Sequence, residues 1–306
     1  MRTPVIFLVF NRPDLTAAVF ERIRAARPPE LLVVCDGPRA GIVDEPEKVA
    51  AVREIIERGV DWPCQVHREY AVENMGCRDR VASGLTWAFS KVEEAIVIED
   101  DCLPEPSFFG FCEELLERYR EDSRIMHIAG TNLAAPYLRL RASYWFSHQP
   151  AIWGWASWRR AWQHYDLEMR AWDERSREFR TSFASRWEAQ YWLPIVDLAR
   201  YQGKKATTWD FAWMFACRVR RGMCIMPTNN LVQNIGFGDS ASHTTDSNPR
   251  HQIPSRPVGV LRHPARIAWN RFADELVTRA YAGELIDRET NLRSRLRILR
   301  DSLSVR

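Results

Sequence analysis

Residues 95–101 read Ala-Ile-Val-Ile-Glu-Asp-Asp, a β-rich apolar run that ends in three adjacent carboxylates before Cys102-Leu103-Pro104 turns the chain away. Packing gives no reason for three acids at that point. Like charges at the lip of a hydrophobic sheet repel one another and lose solvation, a cost that a divalent cation offsets. Mg2+ or Mn2+ suits such a place, because each takes oxygen ligands and keeps positions open for phosphate oxygens and water. A cation there would let an anionic diphosphate approach the acids and would stabilise the charge on a departing nucleotide diphosphate. The competing reading makes the acids a solvated turn and N-cap for the helix near Ser107.

A fourth acid stands apart. Asp210 follows Trp209 and precedes Phe211, Trp213, Met214 and Phe215, at the start of a mostly buried helix. Desolvation raises a carboxylate toward the strength of a general base, while a helix N-terminus acts the other way. Asp210 therefore reads either as a base or as a plain N-cap. Trp153, Trp155 and Trp158 are candidates to stack on the apolar face of an acceptor sugar, against a default of core packing. His127 and His164 read as structural residues. His243 lies in a polar loop and stays open. The Cys and His spacings make no zinc site, and there is no P-loop, GxGxxG or GxSxG, which leaves ATPase, dehydrogenase and esterase chemistry without support.

These residues need a frame. The first 130 residues alternate short apolar runs with helical patterns, the mark of a mainly parallel sheet flanked by helices. Strands are expected over Val5–Phe10, Leu31–Cys35, Cys64–Glu69, Ala95–Ile98 and Ile125–Ala129. Helices are expected through Leu15, Val19, Ile23 and Ala26, through Val81, Leu85, Phe89 and Val92, and through Phe108, Cys112, Leu115 and Tyr119. Each strand leads into polar turns, Asn11-Arg12-Pro13-Asp14, Asp36-Gly37-Pro38-Arg39 and the acidic triplet, which should converge beyond the carboxyl ends of the strands. Further on, helices are expected near Trp187–Tyr201 and Asp210–Arg221, with a short strand over Met223–Met226. Residues 233–257, rich in Asn, Ser, Gly, Thr and Pro, read as a long loop of the kind that covers a ligand.

With 306 residues, 46% hydrophobic and 13 Trp, the chain can bury a sizeable core. Its seven cysteines are odd in number and unpaired in pattern; with no secretory signal in sight they read as reduced thiols of a cytoplasmic protein. The net charge of +3 is carried by the tail, since residues 250–306 hold 12 Arg against 6 Asp plus Glu. Leu292, Leu296, Leu299 and Leu303 share a helical face there, flanked by Arg293, Arg297 and Arg300. A helix packed on the domain with a solvated Arg face is expected, with weak peripheral docking on an anionic membrane as the alternative. No nucleic-acid partner is expected.

The order of motifs resembles a known family. Ile6-Phe7-Leu8-Val9-Phe10-Asn11-Arg12, Cys35-Asp36-Gly37 and Glu99-Asp100-Asp101 resemble the nucleotide-sugar half of GT-A glycosyltransferases, most of all N-acetylglucosaminyltransferase I, an inverting enzyme. Gly154-Trp155, Trp209-Asp210, Arg221-Gly222 through Pro227, Phe237-Gly238 and Ser242-His243 continue the likeness, which covers roughly residues 3–245. The resemblance implies that Asp101 binds the metal, Asp100 contacts the ribose and Glu99 hydrogen-bonds the donor sugar. It places Arg12 and Asp36 on the nucleotide, Ser242 on the diphosphate and Asp210 as general base, with Arg78 and Arg80 near a basic nucleotide-contacting stretch. It implies a UDP-sugar donor and a glycan or lipid-linked acceptor, with residues 1–130 as nucleotide-sugar half, 131–250 as acceptor half and 251–306 as a basic helical extension. Two alternatives remain. A sugar nucleotidyltransferase would carry a Gly-rich basic loop where Asn11-Arg12-Pro13-Asp14 stands, and a non-catalytic glycan-binding protein could keep the same fold.

Overall fold

The computed structural model describes residues 1–237 and 253–284. In chain order the first half comprises β1 (Val5–Val9), α1 (Pro13–Ala26), β2 (Glu30–Cys35), α2 (Glu45–Gly59), β3 (Gln65–Tyr70), α3 (Gly76–Lys91), β4 (Glu94–Glu99), β5 (Cys102–Pro104) and α4 (Ser107–Arg118). The second half comprises β6 (Ile125–Ala129), β7 (Tyr144–Ser147), β8 (Trp155–Trp158), α5 (Arg159–Trp162), α6 (Trp172–Arg180), α7 (Arg186–Gln202), a 3-10 turn at Gly203–Lys205, α8 (Asp210–Val219), β9 (Met223–Pro227), β10 (Val232–Asn234) and α9 (Arg271–Tyr281).

Eight strands form one sheet in the order β3-β2-β1-β4-β8-β6-β9-β7, and β10 pairs with β5 in a separate ribbon. The pairs β1–β2, β1–β4, β2–β3 and β6–β9 are parallel, whereas β8 and β7 run against their neighbours. The chain is thus a mixed α/β protein built on a large, mostly parallel sheet flanked by helices. Side-chain alternation explains why β1 is apolar throughout. Val5, Phe7 and Val9 pack with α1, α2 and α4 on one face, while Ile6 and Leu8 pack with α3, α5 and α8 on the other. A strand covered on both sides has no polar position to spare.

The strands expected from sequence are present with ends shifted by a residue, and α1, α3 and α4 fall on their apolar repeats. The helices α2, α5 and α6 were not anticipated; α2 is the longest of them. Its buried apolar residues Val49, Val52 and Ile56 keep helical spacing but are only three in fifteen residues, so the repeat is short. The loop expected from residue 233 begins later, because Gln233 and Asn234 pair with Leu103 and Cys102 in the β10–β5 ribbon. The remainder of that loop at 238–252, with Ser242 and His243, lies outside the described residues, as do the tail leucines from Leu292 onward. No described helix is long and apolar enough to cross a membrane.

The sheet continues across residue 130, with β8 inserted between β4 and β6. Beyond it, a buried polar clamp fixes α8. Glu188 of α7 accepts hydrogen bonds from Arg218 (2.9 Å) and Gln149 (2.6 Å), and both members of the ion pair are fully buried. Ser185 caps α7 by accepting from the Glu188 amide at 3.2 Å. Asp274 of α9 accepts from the His148 amide (2.8 Å) and from Trp269 (2.7 Å), tying that helix to the end of β7.

Candidate functional site

In the order β3-β2-β1-β4, β1 is the point where connections leave toward opposite edges, and a crevice opens there beyond the carboxyl ends of the strands. A cavity of about 800 Å3 occupies it. Arg12 after β1, Asp36 after β2, Arg78 and Arg80 of α3 and the triplet after β4 all line it, as do Thr208, Trp209 and Phe211 around the start of α8. Segments more than a hundred residues apart in sequence therefore share one wall.

The triplet is not the cap of the following helix. Pro106 holds that position without a side-chain cap, and Glu105 accepts from the Ser107 amide at 2.8 Å. Asp100 is only 2% exposed, accepts from the Phe10 amide at 3.2 Å, and is bonded to the Arg12 guanidinium. The same guanidinium reaches Asp101 Oδ2 at 3.0 Å. Burial pushes Asp100 up to about 6, opposed by Arg12 and the Phe10 amide. Desolvation pulls Arg12 down, but the two carboxylates outweigh it and hold the guanidinium more firmly charged than usual. Glu99 has no such partner. Its Oε1 is buried without a hydrogen bond, and desolvation, followed by the fields of Asp101 and Asp100, drives its carboxyl well above the ordinary range.

Glycine shapes this floor. The Ile235 amide donates to the Asp101 carbonyl at 2.8 Å, and Gly236 then passes so close that a Cβ on it would lie 2.4 Å from Asp101 Oδ2. Gly154 before β8 has φ +64° and faces Val232 of β10, so it serves both a left-handed turn and a close approach.

Asp36 is 5% exposed and accepts from four donors: the amides of Gly37 (2.8 Å), Met75 (2.9 Å) and Gly76 (3.0 Å), and Asn74 Nδ2 (3.0 Å). Its carboxylate builds the turn that starts α3, and a nucleotide hydroxyl would have to replace one of these donors. Arg80 donates to the Glu69 carbonyl but leaves Nε buried without a partner, and desolvation lowers its pKa. Arg78 is paired with Asp79 (2.6 Å) and Glu168 (2.7 Å).

Asp210 is the first residue of α8, while Trp209 occupies the cap position without a side-chain cap bond. Burial raises the Asp210 carboxyl, opposed by the Thr208 hydroxyl that donates to it. Asp210 itself does not line the cavity, although Thr208, Trp209 and Phe211 around it do, and its charge is the smallest of the contributions that raise Glu99. The exposed Cys77 also lines the cavity.

Two of the three tryptophans offered for sugar stacking are corrected by burial. Trp155 is 0% exposed, stacked on His127 (5.0 Å) and Trp209 (6.0 Å), and Trp158 is 2% exposed beneath Arg160. Both are strand residues inside the sheet, with no ring face toward solvent. Trp153 alone of the three lines the cavity, edge-on to Phe237 at 5.5 Å. His127 is buried with Nε2 near the Ala151 carbonyl (2.9 Å) and Nδ1 near Trp213 Nε1 (3.2 Å), which accounts for it structurally. Sequence reasoning passed over Asn74, Cys77 and Gly236. The Asn74-Met75-Gly76 turn ahead of an apolar repeat was the available signal for the first two; nothing local marks Gly236 as a neighbour of Asp101.

Among the described residues no group of three or more His, Cys, Asp or Glu side chains is arranged as a metal site. Asp101 is the acid that could serve as a single protein ligand, completed by phosphate oxygens and water, which is how Mg2+ is commonly held beside phosphates. The donor set therefore fits a cation that arrives with a diphosphate rather than a cage built by protein alone.

No family model and no curated protein matches the chain. Solved structures do, distantly. A mannosyltransferase from Pyrobaculum calidifontis, in complex with GDP-Man and Mn2+, aligns at 16% identity over 51% of this chain with a TM-score of 0.35; the chain covers 44% of that protein's length. A UDP-glucose pyrophosphorylase complexed with UDP-glucose aligns at 12% identity, covering 54% of this chain and 79% of that one, with a TM-score of 0.31. A UTP-bound UGPase from Acinetobacter baumannii gives 12% identity, 55% and 78% coverage and a TM-score of 0.32. Likenesses this distant carry no argument about substrate or reaction.

Proposed function

We propose that the chain is an inverting, metal-dependent glycosyltransferase that moves a sugar from a nucleotide diphosphate donor, a UDP-sugar by resemblance, to an acceptor hydroxyl. The observation that carries this reading is that one cavity of about 800 Å3 is lined both by Glu99-Asp100-Asp101 and by Thr208, Trp209 and Phe211, the residues on either side of Asp210. A nucleotide binder needs the first group; a transferase needs a separate acid on the far side of the sugar as well.

In this reading Asp101 holds Mn2+ or Mg2+ against the diphosphate, and the cation supplies charge stabilisation for the leaving group. Arg12 keeps Asp100 and Asp101 in place and remains cationic beside the phosphates. Glu99, buried and raised, is suited to hydrogen-bond a donor hydroxyl as a neutral acid. Asp210 takes the proton from the acceptor hydroxyl as that oxygen bonds to the anomeric carbon and the bond to the diphosphate oxygen breaks on the opposite face. Its raised carboxyl strengthens it as a base, and Thr208 orients it. Trp153 is the ring available to a sugar face.

The test needs no acceptor at first. Nucleotide sugars are screened for Mn2+-dependent hydrolysis, and stabilisation by UDP with Mn2+ is followed by thermal melting. Asp101→Ala should abolish metal-dependent nucleotide binding, and Asp210→Asn should leave binding intact while removing transfer. Normal transfer by the Asp210 variant would sink the base assignment. Stabilisation by triphosphate alone would indicate a nucleotidyltransferase, and none with any nucleotide a glycan-binding scaffold.

A further inference from the structure

The cations around the cavity divide into two sets. Arg12 is paired with Asp100 and Asp101, Arg39 with Glu45, Arg78 with Asp79 and Glu168, and Arg80 with Glu69. Lys204 and Lys205 also line the cavity, are exposed, and form no ion pair with any described residue. They sit in the 3-10 turn that closes α7, held by the Ala206 amide donating to the Gly203 carbonyl at 3.0 Å. That turn leads directly into Thr207, Thr208, Trp209 and Asp210, so along the chain the lysines stand within six residues of the proposed base, on a different segment from the strand ends that carry Arg12 and Asp36.

Charge balance then says what they are for. Asp100 and Asp101 outnumber Arg12 on the cavity floor, and an anionic molecule entering between them and the Asp210 segment would be repelled unless cations met it on entry. A neutral acceptor needs no such cations. The geometry points to an acceptor that carries an anionic group of the phosphate class near the hydroxyl it offers, with Lys204 and Lys205 as its specificity-determining contacts. This rests on the reading of Asp210 as the acceptor-side base.

The test is a calorimetric titration of the chain, with UDP and Mn2+ bound, by glucose 1-phosphate and by the neutral methyl glucoside. Glucose 1-phosphate should bind about tenfold tighter, the sum of two exposed charge pairs. The double variant Lys204→Gln, Lys205→Gln should lose that preference while keeping its UDP affinity and its melting temperature. Dodecyl phosphate in a parallel arm identifies the source: tighter binding than glucose 1-phosphate assigns the phosphate to a lipid, the reverse to a soluble sugar phosphate. Equal binding of the neutral and charged probes, or a preference that survives the double variant, overturns the inference. So does a double variant with weakened UDP binding, which would give the lysines to the donor. A wild-type chain that binds no UDP defeats the donor reading itself, whereas one that binds UDP without a phosphate preference defeats only this inference.

Discussion

Replacing Gly236 by Ala tests the placement of Asp101 without touching an ionisable group. The new Cβ would lie 2.4 Å from Asp101 Oδ2, 2.7 Å from its Cβ and 2.9 Å from its Cγ, where carbon contacts ordinarily fall at about 3.5–4.0 Å. Gly236 is not among the positive-φ residues, so alanine is allowed by the backbone and the perturbation is purely steric. Neither chain can easily retreat. The Ile235 amide holds the Asp101 carbonyl at 2.8 Å, and Asn234 is in register with Cys102 across the ribbon. Turning the carboxylate relieves only the Oδ2 and Cγ contacts, so the Asp101 and Gly236 backbones must also part at Cβ, and the 3.0 Å contact with Arg12 is given up. Overpacking of this kind costs about 1–3 kcal/mol. If about 2 kcal/mol of that falls on the donor complex, UDP affinity in Mn2+ drops roughly 30-fold. Calorimetry gives the affinity and thermal melting the stability. Gly110→Ala is the control, since a Cβ at that helical position meets nothing within 4 Å, and it should stabilise slightly by about 0.5–1 kcal/mol. UDP affinity in Gly236→Ala within about twofold of wild type would refute the reasoning that Asp101's present orientation serves binding.

The Asp210 carboxyl is raised by burial, and a base works only when deprotonated, so the transfer rate should fall with decreasing pH along an acid limb lying above the ordinary aspartate range. Thr208→Val, which removes the hydroxyl that favours the charged form, should move that limb to higher pH; a limb unmoved in kcat/KM profiles would mean another group controls it. Glu188→Ala leaves Arg218 buried without its carboxylate and should cost about 3–5 kcal/mol in urea unfolding. Trp155→Ala should cost a comparable amount of stability through a core void, about 3–5 kcal/mol, without selectively weakening sugar binding. Trp153→Ala should do the opposite: weaken glycan binding in a titration while shifting the melt less.

Much of the frame was readable because of how a doubly covered parallel sheet must be built. The strands through Val5, Leu31 and Ala95 are apolar at consecutive positions, the strand through Ile125 is broken only by His127, and α1, α3 and α4 repeat their apolar residues at helical spacing. The helix α2 escaped because three buried apolar side chains in fifteen residues leave a weak pattern. Trp155 and Trp158 escaped for a different reason. Their chemistry suits a sugar platform and a strand core equally, and only the pairing of β8 with β4 and β6 decides between them.

The same division holds at the site. Three acids at the end of a buried strand carry a local electrostatic cost, so the sequence by itself marked them as a place for opposite charge. Which opposite charge is present was decided in three dimensions: Arg12 lies across Asp100 and Asp101, while Glu99 Oε1 has no partner among the described residues. The convergence of the Thr208, Trp209 and Phe211 segment with that triplet on one cavity likewise depends on α8 packing against the sheet and on the Glu188–Arg218 clamp behind it. Local residue order determined the pieces because backbone and burial preferences act over a few residues. Their convergence came only with the tertiary structure, because the fields of charges more than a hundred residues apart add only where packing brings them together.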